Sequence, residues 1–580
     1  MKPTEKKYKY IRYRVIIVGF IFSLFFTAIC AKAVYLQVFC KSWLSEKAAD
    51  QYEVSCRSYG KRGTIYDTNL KELAISIDVT SIAAHPPIVK NARTIAKSLS
   101  KILKINRKSL VRKLASNKKF VWIKRKVTPK EAEAVRNLNI AGVDFIPEHK
   151  RFYPHKALAA QVLGFTDIDD HGLEGIEFYY NEYLQGFTSH YTILKDALGR
   201  GFDAEKTTGL NYSGNNLILT IDSVIEYITE KALEEGVKKF SAKSGMAIVM
   251  APKTGAILAM AHYPFFNPNA INKFSQKIWR NRIITDPFEP GSTMKIFAAT
   301  SAIETGNCSP NSIFYCENGA YKVGKHVIHD THEHGWLSLQ QIIKYSSNIG
   351  TVKFSAITGP KSLYKTLRDF GFGAKTEIDC PGETTGILMP YQQWTTVDTG
   401  AIAFGQGISV SALQLISATS AIANKGVLMK PYIVQAITDQ NGKLIKSFGP
   451  KRIKRVISEK TARTLAMIMK TVITQGGTGV NAALKGYSVC GKTGTAQKID
   501  EHGKYAQGKY ISSFIGFLPE KMPKAVILVV IDEPEKQHYG SIVAAPIFKK
   551  IARNTLDYMN IRPKSKTGRL MVSLKSKAEG

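Results

Sequence analysis

Three short motifs in the second half of the chain set out a chemistry of acyl transfer. Ser292-Thr293-Met294-Lys295 places a hydroxyl and an amine at i and i+3, on one face of a predicted helix. A serine hydroxyl is a poor nucleophile until a neighbouring base takes its proton. A lysine, with an ordinary pKa of about 10.4, becomes such a base when partial burial and a second cation lower it. Lys492, in Lys492-Thr493-Gly494-Thr495, is the candidate for that cation. Ser346-Ser347-Asn348 offers a hydroxyl, Ser346, that relays a proton between Lys295 and a leaving amine. Its amide, Asn348, has the acceptor and donors that suit a peptide-like substrate. On an edge strand Lys492, Thr493, Gly494 and Thr495 would receive a substrate carboxylate. The backbone amides of Ser292 and Thr495 are the candidate oxyanion hole, whose loss typically costs ~10²–10³ in rate. Ser292, Lys295 and Ser346 are therefore the candidate catalytic residues, and Asn348, Lys492, Thr493, Gly494 and Thr495 the candidate substrate-binding residues.

Each motif alone is weak. The S-x-x-K spacing recurs at Ser58, Ser98, Ser116 and Ser362, S-x-N at Ser213 and Ser309, and K-T-G at Lys253 and Lys566. A lone Ser292 reads as a helix N-terminal serine and a lone Lys295 as a solvated lysine; Ser347 reads as structural. Order and context carry the signal. Glu289-Pro290-Gly291 makes a turn before Ser292, and Lys492 follows a strand-like run. One decoy overlaps the third motif. Gly486 to Thr493 matches the phosphate-binding pattern G-x-x-x-x-G-K-[ST], but that loop must lead into a helix and Thr493 runs on as strand and loop. Val529–Glu533 is a poor magnesium partner for it. The seven cysteines are scattered without a C-x-x-C, so neither a zinc module nor a disulfide framework is signalled. Whether Cys308 and Cys316 pair is left open. The chemistry needs no metal and no cofactor.

The elements that must position these residues follow a regular pattern from Leu217 onward. LILTID reads as a strand followed by a helix. Ala247–Ala251 and Ala256–Ala261 read as a hairpin around Pro252–Gly255. Helical patterns fill roughly 292–424, and strand patterns return with YSVCGKTGT, YISSFIGFL and AVILVVID before a closing helix, AAPIFKKIARNTLDYM. Strands at both ends with helices between them imply an α+β domain, an antiparallel sheet flanked by helices. The predicted division is a basic segment 1–14, a membrane anchor 15–37, a mixed pedestal 38–216, the domain carrying the motifs 217–560, and a basic, disordered tail 561–580. In the pedestal, Arg62 and Glu174 read as structural, a guanidinium fork held on a carboxylate.

The amino terminus sets the compartment. Lys2, Lys6, Lys7, Lys9, Arg12 and Arg14 precede an uncharged run, Val15 to Ala31, which resumes after Lys32. That suits a single spanning helix with its basic flank cytoplasmic and the bulk of the chain outside. A cleaved signal peptide, with Ala31-Lys32-Ala33 as its site, is the rival reading. The net charge of +35 points to a polyanion partner. The excess is spread along the chain and no zinc-finger or RRM signature is present, so anionic lipid or an anionic wall polymer is expected, and not nucleic acid.

Taken together, the anchor, RGTIYD (Arg62–Asp67), the GLEGIE…LQG segment, EPGSTMK, SSN, FGQG (Phe404–Gly407), GKTGTAQK and YGSIVAAPIF resemble the class B penicillin-binding proteins, the FtsI-type septal peptidoglycan transpeptidases. The family usually reads D-R-N-G where Thr68, Asn69 and Leu70 follow Asp67 here. The resemblance implies a non-catalytic pedestal beside the bacterial inner membrane and a periplasmic serine D,D-transpeptidase domain inhibited by β-lactams. It places nucleophile, base, relay and K-T-G positions on Ser292, Lys295, Ser346, Asn348, Lys492, Thr493 and Thr495. It also implies peptidoglycan stem peptides as substrates and an FtsW-type polytopic glycosyltransferase and other division proteins as partners, since the region before the motifs is too short for a glycosyltransferase. Phe22, Phe25, Phe26 and Ile29 form a candidate contact stripe on the anchor. Elongation-type action, and transfer of the acyl group to water as in a carboxypeptidase or β-lactamase, remain alternatives at this stage.

Overall fold

The structure, a computed structural model, describes residues 4–186, 188–195, 201–202, 213–500 and 503–563. It divides into two compact units, Met1–Gly60 with Phe187–Tyr212, and Lys61–Gly186 with Ser213–Gly580. The tail predicted to be disordered falls, from residue 564, outside the described residues.

In the first unit the uncharged run forms the helix Thr4–Val34, continued by one π turn, Tyr35–Phe39. Within the 32 residues Tyr8–Phe39 an 18-residue window reaches a mean hydropathy of 2.3, and the stretch is exposed throughout. At 1.5 Å per residue it spans roughly 48 Å, more than a hydrocarbon core of about 30 Å. Among the described residues this is the one helix long and apolar enough to cross a membrane. Phe22, Phe25, Phe26 and Ile29 are all exposed on it. A helix, Lys41–Tyr52, and a strand, Glu53–Tyr59, follow, the strand pairing antiparallel with Thr188–Lys195.

The second unit is built on a five-stranded antiparallel sheet in the order Ile257–Tyr263, Ser244–Met250, Ala525–Asp532, Tyr505–Leu518, Cys490–Ile499. The hairpin expected around Pro252–Gly255 is present, with Gly255 at a left-handed φ of 84°. Every residue of Ser244–Met250 and of Ala525–Asp532 is buried, so both faces of the sheet are covered. The helices Ser223–Lys239 and Gly540–Tyr558 pack on each other and on the sheet, and Ala412–Ala423 packs on its central strands. Asp222 caps the first of these by accepting from the amides of Val224 and Ile225. The helical stretch 292–424 contains Lys295–Glu304, Leu339–Tyr345, Asn348–Thr358, Pro360–Asp369, Thr396–Phe404 and Ala412–Ala423, but also two antiparallel strand pairs between residues 313 and 338 that the periodicity did not predict. These strands are three or four residues long, too short for a period to register.

The LILTID strand, Asn216–Leu219, does not join that sheet. It lies in a second, seven-stranded sheet, parallel to Ile65–Tyr66 and antiparallel to Val434–Thr438. The long strand Glu72–Ala84 of the same sheet carries Val121–Val127 and Val143–Phe152 and, with the helices Ala92–Leu103 and Arg107–Leu114, encloses a separate apolar core around Leu99, Leu103 and Leu110. Close by, Arg62 pairs with Glu177 and not with Glu174. Its Nε and that of Arg151 each lie 2.6 Å from a Glu177 carboxylate oxygen, and all three side chains are buried. Glu174 instead occupies the residue before the helix Gly175–Tyr179, where its side chain makes no cap. Cys308 and Cys316 are both buried free thiols.

Candidate active site

Ser292 sits in a single 3₁₀ turn, Gly291–Thr293, that runs into the helix Lys295–Glu304. The expected shared face is thus made at a helix entrance, where i and i+3 eclipse in 3₁₀ geometry. The turn is gripped from two sides. Gly405 of the Phe404–Gly407 loop approaches so closely that a Cβ there would lie 2.1 Å from the Gly291 carbonyl oxygen, and its own carbonyl accepts from the Gly291 amide at 3.1 Å. A Cβ on Gly494 would fall 2.2 Å from Ser513 Oγ and 3.0 Å from the Pro290 carbonyl, so only glycine lets the edge strand Cys490–Ile499 lie against this turn. Glu289 completes the support. Its carboxyl accepts from the Gly407 amide at 2.8 Å and the Tyr505 hydroxyl at 3.2 Å.

Lys295 is fully buried. Its Nζ donates to the Ser346 carbonyl at 2.5 Å and to Asn348 Oδ1 at 2.7 Å, with Ser346 Oγ at 3.3 Å. Ser346 Oγ also accepts from Lys492 Nζ at 2.8 Å. The Ser346 hydroxyl therefore stands between two buried lysines. Its backbone is left-handed, φ 65°, at the end of the helix Leu339–Tyr345. That conformation is uncommon outside glycine and asparagine and characteristic of strain held at a working site. The hydroxyl of Ser292 makes no hydrogen bond among the described residues, and Ser347 caps the helix Asn348–Thr358.

Burial pushes Lys295 down to about 7, against the opposing charge of Asp330. Lys492 is pushed well below the lysine range, first by burial and then by Lys295. The leading cause differs from the expected one: burial, and not Lys492, leads the shift of Lys295, and among the described residues neither amine faces a carboxylate at ion-pair distance.

The Thr493 hydroxyl donates to Thr478 Oγ1 and the Thr495 hydroxyl accepts from the Gly540 amide, 3.1 Å each. Lys492, Thr493, Gly494 and Thr495 lie on the edge strand, as their proposed role requires. Thr493 continues this strand and not a helix, which removes the phosphate-loop reading. The roles of two residues were not legible in the sequence. Asp330 accepts from the amides of Asn348 and Ile349 and from Ser347 Oγ, fixing the helix that presents Asn348. The other is Glu289. Neither carries a spacing of its own; only the proximity of Glu289 to Ser292 offered a signal. Asn348 Nδ2 donates to the His329 carbonyl at 2.8 Å, so its amide is held at both ends.

Residues 245–553 match the penicillin binding protein transpeptidase domain family and residues 57–219 the penicillin-binding protein dimerisation domain family. The chain is 34% identical over 548 residues to the probable peptidoglycan D,D-transpeptidase PenA of Neisseria meningitidis, covering 93% of this chain and 92% of that protein. It is 33% identical to the peptidoglycan D,D-transpeptidase FtsI of Escherichia coli, covering 87% and 85%. Stage V sporulation protein D of Bacillus subtilis is 32% identical, covering 96% and 87%. The crystal structure of penicillin-binding protein 3 from Mycobacterium tuberculosis, complexed with aztreonam, superposes with a TM-score of 0.69 at 28% identity, covering 88% of this chain and 98% of that one.

Proposed function

Since the chain belongs to the class B penicillin-binding proteins and carries their transpeptidase domain, we propose that it cross-links peptidoglycan stem peptides through an ester on Ser292. The observation that carries this reading is the hydrogen bonding of Lys295. Its two short bonds, to the Ser346 carbonyl and Asn348 Oδ1, use both N–H groups of a neutral amine and leave the lone pair for a hydroxyl proton. Lys295 takes the Ser292 proton as Oγ attacks the penultimate D-Ala carbonyl of a pentapeptide stem. The amides of Ser292 and Thr495 receive the oxyanion. When the C–N bond breaks, the departing D-Ala amine takes the proton back from Lys295 through Ser346 Oγ. An amine of a neighbouring stem then attacks the ester. Its proton passes to Lys295, the C–O bond breaks, and Ser292 regains its proton. Asn348 orients the peptide, and Lys492, Thr493, Gly494 and Thr495 receive the substrate carboxylate.

The apolar helix, with its basic flank, supports a single-pass anchor in the bacterial inner membrane, with residues beyond about 37 in the periplasm. The proposed division is an anchor 15–37, a pedestal 38–216 and a transpeptidase domain 217–560. The likeness to FtsI supports septal synthesis with an FtsW-type glycosyltransferase. Depletion tests that role: filaments support it, and rounded cells would support elongation instead. The site assignment is tested by labelled penicillin on purified protein. Ser292 should be the labelled residue by mass spectrometry, and labelling that persists in Ser292→Ala would overturn it.

A further inference from the structure

An exposed aromatic face adjoins the site without taking part in the chemistry above. The strands Ile313–Tyr315 and Trp336–Ser338 pair antiparallel, with Tyr315 opposite Trp336 and Phe314 opposite Leu337. Alternation sends Phe314 and Leu337 into the core, at 8% and 6% exposure, and Ile313 and Trp336 outward, at 64% and 69%. The Tyr315 and Trp336 rings lie 5.1 Å apart at 44°. Tyr315 is held from the side, its hydroxyl accepting from Asn318 Nδ2 at 3.0 Å and Lys353 Nζ standing 5.7 Å from its ring. A tryptophan this exposed on a two-stranded ribbon leaves apolar surface in water that a partner would cover.

We propose that the Ile313, Tyr315 and Trp336 face binds the sugar backbone of the substrate, so that the glycan rests there while its stem peptide reaches Ser346. The inference rests on the transpeptidase reading and deepens it. Sugar rings have apolar C–H faces and hydroxylated rims, which match flat aromatic faces edged by hydrogen-bonding groups. The face is continuous with the site. Ser338 caps the helix Leu339–Tyr345, and Ser346 ends it. That helix of 7 residues rises about 10 Å, and the strand before it adds at most about 10 Å, so Trp336 lies within roughly 20 Å of Ser346 along the chain. An extended pentapeptide spans about 17 Å. In the last turn of that helix Lys344 Nζ lies 5.4 Å from the Tyr345 ring and makes no ion pair among the described residues, and His334 stacks on Tyr345 at 5.3 Å. An unpaired cation on that helix complements the carboxylates of the stem peptide that the glycan carries.

The test uses full-length protein with peptide-free glycan strands as the binding probe, and with two donor substrates, a free stem pentapeptide and the same stem on its sugar. Trp336→Ala and Tyr315→Ala should each weaken glycan binding about tenfold. They should lower kcat/KM by a similar factor only for the sugar-linked stem, with Trp336→Phe retaining most of both. Penicillin labelling of Ser292 should be unchanged, and its failure in the wild-type protein would strike the transpeptidase reading and not this one. Unchanged glycan binding, or equal losses on both substrates, would overturn the proposal.

Discussion

Two buried charge clusters in this molecule have opposite fates. At the Arg62–Glu177–Arg151 junction, burial alone would raise the Glu177 carboxyl, but two guanidiniums outweigh it and hold it below the usual range. Every charge there has a partner, and the cluster binds the segments around Gly63, Arg151 and Glu177 together. At the site, two lysines are buried as deeply with no carboxylate on either amine among the described residues, and both are driven toward the neutral form. Burial with compensation keeps charge and makes an architectural joint; burial without it discharges an amine and makes a base. A third cluster obeys the same rule with the opposite sign. On the helix Ser223–Lys239 Glu226 is buried and Glu230 half-buried, neither with a cation among the described residues, Glu226 accepting from the Met260 amide and Glu230 from that of Ala159. Burial raises Glu226 to about 7 and raises Glu230 as well, the latter also through the charge of Glu226.

The contrast is sharpened most by Lys295→Met. Acylation by penicillin should fall ~10²–10⁴-fold, the usual worth of a positioned base. Thermal stability should stay level or rise, because an uncompensated buried amine is replaced by an apolar chain of similar length. A loss of stability without a loss of acylation would erase the distinction. Glu177→Ala is the converse. It strands two buried guanidiniums and should cost about 3–5 kcal/mol in denaturant unfolding. Protein that remains folded should still label at Ser292. Glu226→Gln has the smallest effect and shows only in pH dependence. A carboxyl whose folded pKa is raised contributes stability that is complete below about pH 4.3, its unfolded value, and is lost as pH climbs to about 7. Wild-type stability should decline over that window by up to about 1.4 kcal/mol per pH unit, and Glu226→Gln should flatten the decline. A variant curve parallel to the wild type would show that Glu226 is not the buried proton carrier.

How far the sequence led depends on whether the information was local. The hairpin around Pro252–Gly255, the strands of the central sheet and the closing helix were legible, since period and turn residues report on neighbours. The motif residues were legible as a set because Ser292, Ser346 and Lys492 occur in a recognisable order. What stayed hidden was pairing across long separations. Glu177, and not Glu174, meets Arg62, because both lie in the same glycine-bounded stretch and only the fold decides which one points inward. Asp330 lies on a loop after an unpredicted ribbon, so nothing marked it as the clamp on the helix of Asn348. The burial of Lys492 beside Lys295 was not legible, because composition reports charge and not burial.

The pH profile of Ser292 acylation tests the central claim most directly. If burial makes Lys295 the base, the second-order rate of penicillin acylation should rise with pH through a single limb near 7 and level off above it, because the reactive form is the neutral amine. A rate that keeps climbing through pH 9 toward the ordinary lysine value of about 10.4 would contradict the account, since Lys295 would then be a charged residue like any on the surface.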